Sequence, residues 1–395
     1  MKNCIKFKRF IFVFFILTAY LSCSAFDSKE IKAWKRLNQK AYKNYQNGNF
    51  HKGVQWMEKA CSYAEEKFGE NHPDTITSKA NLLLFYTEQG RKSDAEKLFN
   101  KLITASKITY GDNHKLTLTY LDRMAVFYIK TGQLQKALTT YQGLIKLKKN
   151  VLGKEHPEIR NILINMAAIY SGLKQFDEAE KKYLDAINFK LSEDKKNTNK
   201  KNIDQVVFNA RVDLARLYES QNKNDLAEKQ YNYLYSYYLK KMGENNKYTL
   251  KSIRNLAQFY TNTSQEEESL KLYEKGYQIC LKNRAKSDPL YLIFQKNSAI
   301  LKVRLNKGKI AETPIKEAFE NSLDNKGLYD PSTIMLMYYF GVQHESMGRL
   351  KEAEKAFQTA LENAIPIFGE THFMTERIKK HYTDFKHKNI KKIKK

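Results

Sequence analysis

The sequence predicts an all-α chain: a solenoid of about eight helix-turn-helix hairpins followed by a C-terminal capping helix. Three observations predict it. Gly69-Glu70-Asn71-His72-Pro73, Gly111-Asp112-Asn113-His114 and Gly153-Lys154-Glu155-His156-Pro157 begin 42 residues apart, and Gly243, Ala285, Gly327 and Gly369 keep the same interval downstream. A fixed period of this length means stacked copies of one supersecondary unit. A tight-turn position recurs at Gly48, Gly90, Gly132, Lys174, Asn222, Ser264, Asn306 and Gly348, mostly Gly and Asn, which tolerate the left-handed backbone that ends many helices. Five residues after each of these turns stands a small residue, Gly53, Ala95, Ala137, Ala179, Ala227, Ser269, Ala311 or Ala353. Two helices that approach closely require that.

Taken from the N-terminus, the chain opens on the basic residues Lys2, Lys6, Lys8 and Arg9, an apolar run from Phe10 to Leu21, and the small residues Ser22-Cys23-Ser24-Ala25. That layout is a secretory signal peptide, residues 1–25, with Cys23 and Ala25 at the −3 and −1 positions of a cleavage site. The apolar run is shorter than the ~20 residues that span a bilayer comfortably. Cleavage after Ala25, retention as an anchor and lipidation of Cys23 stay open. Tyr20 and Leu21 fit a lipoprotein box poorly, so lipidation ranks behind cleavage. The chain is expected to be exported through Sec, to the periplasm or beyond.

Asp27 and Glu30 have the spacing of a capping box that opens the first helix, so the solenoid is assigned to residues 27–375. Within each repeat the other columns agree. Seven residues before the turn come Ala41, Leu83, Ala125, Ala167, Ala215, Ala257, Ala299 and Gly341. Nine after it come Met57, Phe99, Tyr141, Tyr183, Tyr231, Tyr273, Ile315 and Phe357. Small residues facing large ones at helical spacing pack an interior without voids. Four before the turn, Tyr86, Tyr128, Tyr170, Tyr218 and Tyr260 recur, with Asn44, Lys302 and His344 as departures. Pro73, Pro157, Pro289 and Pro331 share a column between repeats, where one helix must stop and the next start.

Three places break the pattern. The step from Lys174 to Asn222 is six residues too long, and the polar run 192–202 absorbs the excess; it is expected to form a mobile loop, since it has no apolar surface to bury. Repeat seven is the weakest copy, with Lys302 in place of tyrosine and Thr313-Pro314 expected to reset the start of its second helix. Pro366 is expected to kink the last hairpin helix. Residues 376–395 then form one basic capping helix and tail.

Ala-x-x-Tyr-x-x-x-Gly followed by Ala five residues later resembles the tetratricopeptide repeat, and the 42-residue period with its Gly-x-x-His-Pro loop resembles the kinesin light chain subtype. The likeness runs from Trp34 to Thr375. It departs at the N-terminus, where a signal peptide replaces a heptad coiled coil, so motor attachment does not carry over. The resemblance implies a right-handed superhelix whose first helices line a concave groove that holds peptides.

Residues 13, 10, 6 and 3 before each turn form one stripe on the first helix. In repeats one to four the stripe is mostly uncharged, including Thr77, Thr119, Val126 and Ile164. In repeats five to seven it gathers Arg216, Lys251, Arg254 and Lys296, with Arg304 at its edge and sparse opposing charge, mainly Glu219. The light chains' ligand-holding asparagine keeps its column only at Asn38, while Asn81 and Asn165 stand one residue later and border the groove. The formal charge is +26, which favours anionic partners. Two readings follow. One is a non-enzymatic scaffold that binds an acidic peptide or protein segment in the groove. The alternative is a basic surface and tail that bind anionic envelope polymers or a membrane surface.

Catalysis is not expected. The chain has no dinucleotide or phosphate-loop motif and no Gly-x-Ser-x-Gly elbow, and His72, His114, His156 and His372 repeat in one loop column, as a structural residue would. No cofactor, metal or nucleic-acid partner is expected. Cys61 and Cys280 fall in repeats one and six, too far apart for the ~7 Å Cα separation a disulfide needs; both are expected to be buried packing residues.

Overall fold

Seventeen helices and no strand make up the described residues of the computed structural model, 29–189 and 200–393. The signal peptide with Cys23, the Asp27 end of the capping box, and most of the polar run lie outside them. By their contacts the residues divide into two compact units, which meet at Asn202–Ile203.

The first unit holds four hairpins: α1 (Lys29–Gln46) with α2 (Phe50–Phe68), α3 (Pro73–Glu88) with α4 (Lys92–Tyr110), α5 (Lys115–Lys130) with α6 (Leu134–Leu152), and α7 (Pro157–Gly172) with α8 (Phe176–Ile187). Each helix packs against the next. Gly48, Gly90 and Gly132 take φ values of +81°, +71° and +78°, and Lys174 takes +60° despite its side chain. The small column after these turns is fully buried at Ala95, Ala137 and Ala179, and Met57, Phe99, Tyr141 and Tyr183 fill the space opposite.

The second unit repeats the plan with α9 (Lys200–Ser220) and α10 (Asn224–Met242), α11 (Lys247–Asn262) and α12 (Glu266–Asn283), α13 (Pro289–Arg304) and α14 (Lys309–Lys326), α15 (Pro331–Ser346) and α16 (Leu350–Phe368), then the closing helix α17 (Phe373–Ile393). Asn222, Ser264 and Asn306 adopt left-handed φ values of +57°, +62° and +50° at its turns. One apolar cluster joins Ile315, Ile334, Phe357, Ile378 and Phe385, and another joins Leu250, Ile253, Tyr273, Phe294 and Leu301.

Several expectations change. Residues 200–202 are helical, so the polar run is shorter than 192–202: α9 starts there and extends to 21 residues, against 16 in α11. Thr313-Pro314 does not reset a helix start; α14 begins at Lys309 with Pro314 inside it, because Gly308 at φ +56° turns the chain earlier. Repeat seven is also not unsupported at its tyrosine position. Lys302 Nζ lies 2.9 Å from Glu274, an acidic contact of the kind that Tyr260 makes through its hydroxyl to Glu228 at 2.7 Å. Ala285 interrupts the column of positive-φ glycines, which resumes at Gly327 and Gly369, and α12 closes one residue sooner on Arg284, whose backbone is extended. The helix containing Pro366 runs on to Phe368, and the closing helix starts at Phe373, three residues before the assigned boundary.

The loop histidines are N-caps. His72, His114, His156 and His372 each accept a backbone N–H at Nδ1 from the residue two further on, at 3.2, 3.3, 3.3 and 3.2 Å. Asn246, Asp288 and Asp330 fill the same column and accept the equivalent N–H at 2.9, 2.8 and 2.8 Å. Such an acceptor satisfies one of the donors that a helix start leaves open.

Candidate functional site

Cys61 and Cys280 are free and buried, and burial pushes their thiols up to about 12 and about 11. Among the described residues no three His, Cys, Asp or Glu side chains gather as a metal site, and no helix is long and apolar enough to cross a membrane.

The stripe on the first helices is the remaining candidate. In the first unit it is nearly neutral. Thr77 and Thr119 turn their hydroxyls back to the carbonyls of Pro73 and Lys115 at 2.9 and 2.7 Å, and Val126 is exposed. Asp122, its one carboxylate in the column ten before the turn, lies 3.8 Å from the buried Lys148, which also holds Glu158 at 2.8 Å. Asn165 donates to the Tyr141 hydroxyl at 2.9 Å, so part of its amide is committed to packing. Asn81 is half-buried.

In the second unit the basic residues separate into two kinds. Arg304 forms an ion pair with Glu266 of the preceding hairpin; it ties α13 to α12 and does not belong to an open site. Arg216 is exposed and meets Asp213 one turn back at 3.4 Å, so opposing charge is not confined to Glu219. Glu219 itself accepts from Tyr231 at 2.6 Å and from Asn262 at 3.3 Å. Arg254 differs. It is half-buried, its Nη2 donates to Asn255 Oδ1 at 3.2 Å, and no carboxylate lies within 4 Å of it among the described residues. One turn before it, Lys251 reaches over the Tyr248 ring at 5.9 Å. Burial pushes the Lys296 ammonium down from its ordinary range; the positive charge of Lys326 adds to that, and Asp330 opposes it. Lys296 is therefore a weaker standing cation than Arg254.

The stripe is not open along its whole length. Val212, Ile300 and Val303 occupy stripe positions and are buried, Ile300 and Val303 within the apolar cluster that they share with the following hairpin. The register also continues one helix further than the eight repeats. On α17 it reaches Arg377 and Lys380, both exposed, which extend the basic columns of Lys251 and of Arg254 and Lys296. Carrying the 42-residue interval past Gly348 would have found them; assigning the last helix to capping hid them.

Helical hairpins that share these columns define a helical-repeat protein. The family model described as tetratricopeptide repeat matches residues 115–192, and a second model of that description matches residues 37–74 and 249–282. The chain is a tetratricopeptide-repeat protein. No curated protein matches it. Among solved structures it is similar to kinesin light chain nearly identical TPR-like repeats from Podosopora anserina, at 17% identity over 64% of this chain and 98% of that one, TM-score 0.37. It is similar as well to the apo form of the quorum sensor NprR from B. thuringiensis, at 14% identity over 89% and 99%, TM-score 0.42. The apo form of RapI aligns at 10% identity over 91% and 99%, TM-score 0.49.

Proposed function

We propose that this protein is a non-enzymatic interaction scaffold whose second unit captures an acidic peptide or protein segment on the stripe of its first helices. The observation that carries the reading is Arg254: a half-buried guanidinium that faces Asn255 and no described carboxylate. A cation partly withdrawn from water without a counter-charge is stabilised by an incoming anion, and a guanidinium can hold a carboxylate through two parallel hydrogen bonds. Lys251 stands beside it and Lys296 in the same column of the next repeat. Residues 1–25 support export of this scaffold by their layout, and mass spectrometry of the mature N-terminus distinguishes cleavage, lipidation at Cys23 and retention.

The test is binding of a fluorescein-labelled Glu-rich peptide by fluorescence anisotropy. Arg254→Glu is expected to weaken binding about a hundredfold, since one charge-assisted contact is lost and a repulsion added. Arg216→Glu, whose cation already has Asp213, is expected to cost less than tenfold. Equal affinity in wild type and Arg254→Glu, with the helical circular dichroism unchanged, sinks the reading. A second reading rests on the exposed Lys379, Lys380, Lys386 and Lys388 of α17, which favour a polyanion or an anionic membrane surface. That reading requires steep loss of binding with salt and loss on deleting residues 386–395.

A further inference from the structure

The closing helix carries more than a polar cap. Its buried face, Met374, Ile378, Tyr382 and Phe385, seals the last hairpin. Its neighbouring face presents Arg377 and Lys380 at the register positions where α11 presents Lys251 and Arg254. Arg377 is held in place from below: its guanidinium lies 5.7 Å from the Tyr338 ring centroid and 5.6 Å from that of Tyr339. Both rings are buried, and they meet edge to face at 5.0 Å, so the platform beneath the guanidinium is rigid. No described carboxylate lies within 4 Å of Arg377, whereas Arg216, Arg284, Arg304 and Arg349 of the same unit each face one.

One carboxylate at this end of the stripe, Glu345, is engaged elsewhere. Glu345 accepts from His381 Nε2 at 2.9 Å, and His381 Nδ1 lies 2.7 Å from the Tyr338 hydroxyl. The His381 ring rests against Phe357 at 4.9 Å. This chain from Glu345 through His381 to Tyr338 fastens α17 to α15 and steadies the ring on which Arg377 sits. The guanidinium is therefore exposed, oriented and uncompensated, and an oriented donor fork loses little freedom on binding an oxyanion.

We propose that the closing helix is part of the binding surface, with Arg377 as an anchor for a carboxylate of the bound acidic segment and Lys380 as its neighbour. This rests on the groove reading given above and adds the position and spacing of the ligand's charges. Arg254, Lys296, Tyr338 and Lys380 share one column on four successive first helices. Packed helices stand on the order of 10 Å apart, and an extended chain rises about 3.3 Å per residue. With Arg377 standing over Tyr338 at the third place, the segment that fits carries an acidic residue at about every third position.

The experiment titrates the full chain with a fluorescein-labelled peptide bearing Glu at every third position, against a peptide of the same composition with its glutamates shuffled. Arg377→Glu and Arg377→Ala are expected to weaken the spaced peptide about tenfold or more, and the spaced peptide is expected to bind better than the shuffled one. Arg377→Lys keeps the charge and loses the stacked fork, so an intermediate loss is expected from it, with thermal melting monitored for all variants to separate loss of the anchor from loss of the helix. Unchanged affinity in Arg377→Glu while Arg254→Glu abolishes binding overturns this assignment and leaves the groove reading standing. No binding of either peptide to the wild-type chain overturns both. Equal, steeply salt-dependent binding of the two peptides overturns the spacing and points to a polyanion surface.

Discussion

Seven residues in one column, His72, His114, His156, Asn246, Asp288, Asp330 and His372, do one job with three chemistries, and the residue four positions earlier accounts for most of the choice. Where that residue is Phe68, Tyr110 or Phe368, the cap is histidine and the two rings lie 5.2, 4.8 and 4.8 Å apart. Where it is Arg284 or Lys326, the cap is aspartate and an ion pair closes at 3.0 or 3.9 Å. Three of the four histidines that the sequence reads as structural loop residues are thus half of a local ring pair, and His156 caps its helix after Leu152 instead. For Asp288, burial by itself would raise the carboxyl, but the Leu290 N–H, the Arg284 guanidinium and the Tyr291 N–H outweigh it and hold the group below the usual carboxylate range. A folded-state value that is depressed contributes stability above the unfolded value, near 3.9. That stability is lost as pH falls through the folded value. Asp288→Asn keeps the cap acceptor and removes the titration, so urea denaturation between pH 5 and 3 is expected to lose stability less steeply in the variant than in the wild type.

At the scale of the element, the columns name which residues face inward and say little about how closely. Gly276 shows the gap. Its equivalents are Ala60, Leu102, Leu144, Ala186, Leu234, Ala318 and Ala360, so a side chain is tolerated at that position in every other repeat. In α12 it is not, because the fully buried Phe294 ring of α13 occupies the space where a Cβ would stand, at 2.2 Å. Phe294 replaces smaller or narrower residues such as Ser78, Ala210 and Ser252, and Gly276 gives up its side chain to admit it. Gly276→Ala is expected to destabilise the chain by about 1–3 kcal/mol through overpacking, despite the higher helix propensity of alanine. Chemical denaturation measures it, and Gly276→Ala paired with Phe294→Leu is expected to recover most of the loss. The same reasoning covers Lys302, which looked like a flaw in the tyrosine column. It meets Glu274, a partner that lies on another helix and is visible only once the hairpins are stacked.

On the scale of the whole molecule, the six-residue excess falls where the contacts divide the chain. Each unit contains its own turns, buried small columns and aromatic packing, and repeat arrays draw stability from each repeat and its nearest neighbours. Chains of residues 26–195 and 196–395 are expected to be helical separately, each with a cooperative melt; a half that lacks helical circular dichroism would contradict this. The division also sorts the candidate residues. Asn81 and Asn165 belong to the nearly neutral first unit, and Arg216, Lys251, Arg254, Lys296 and Arg377 to the second.

By itself the sequence determined the all-helical repeat architecture, its turns and its inward-facing columns. It could do so because a helix turn, a left-handed residue and a small-to-large contact are requirements of local backbone geometry repeated at a fixed interval. Even Lys174 and Ser264 obey the turn against their own preference, because the period puts them there. The tertiary structure decided which charges stand unopposed. Arg254 on the stripe and Arg304 at its edge both read as basic residues of the first helices, yet one faces an asparagine and the other is matched by Glu266 from a neighbouring hairpin. Arg377 stands on the closing helix beyond the eight repeats, and only the fold sets Tyr338 and Tyr339 beneath it. Neutralisation depends on atoms within about 4 Å that come from residues some 40 positions away, and no spacing along one helix encodes that.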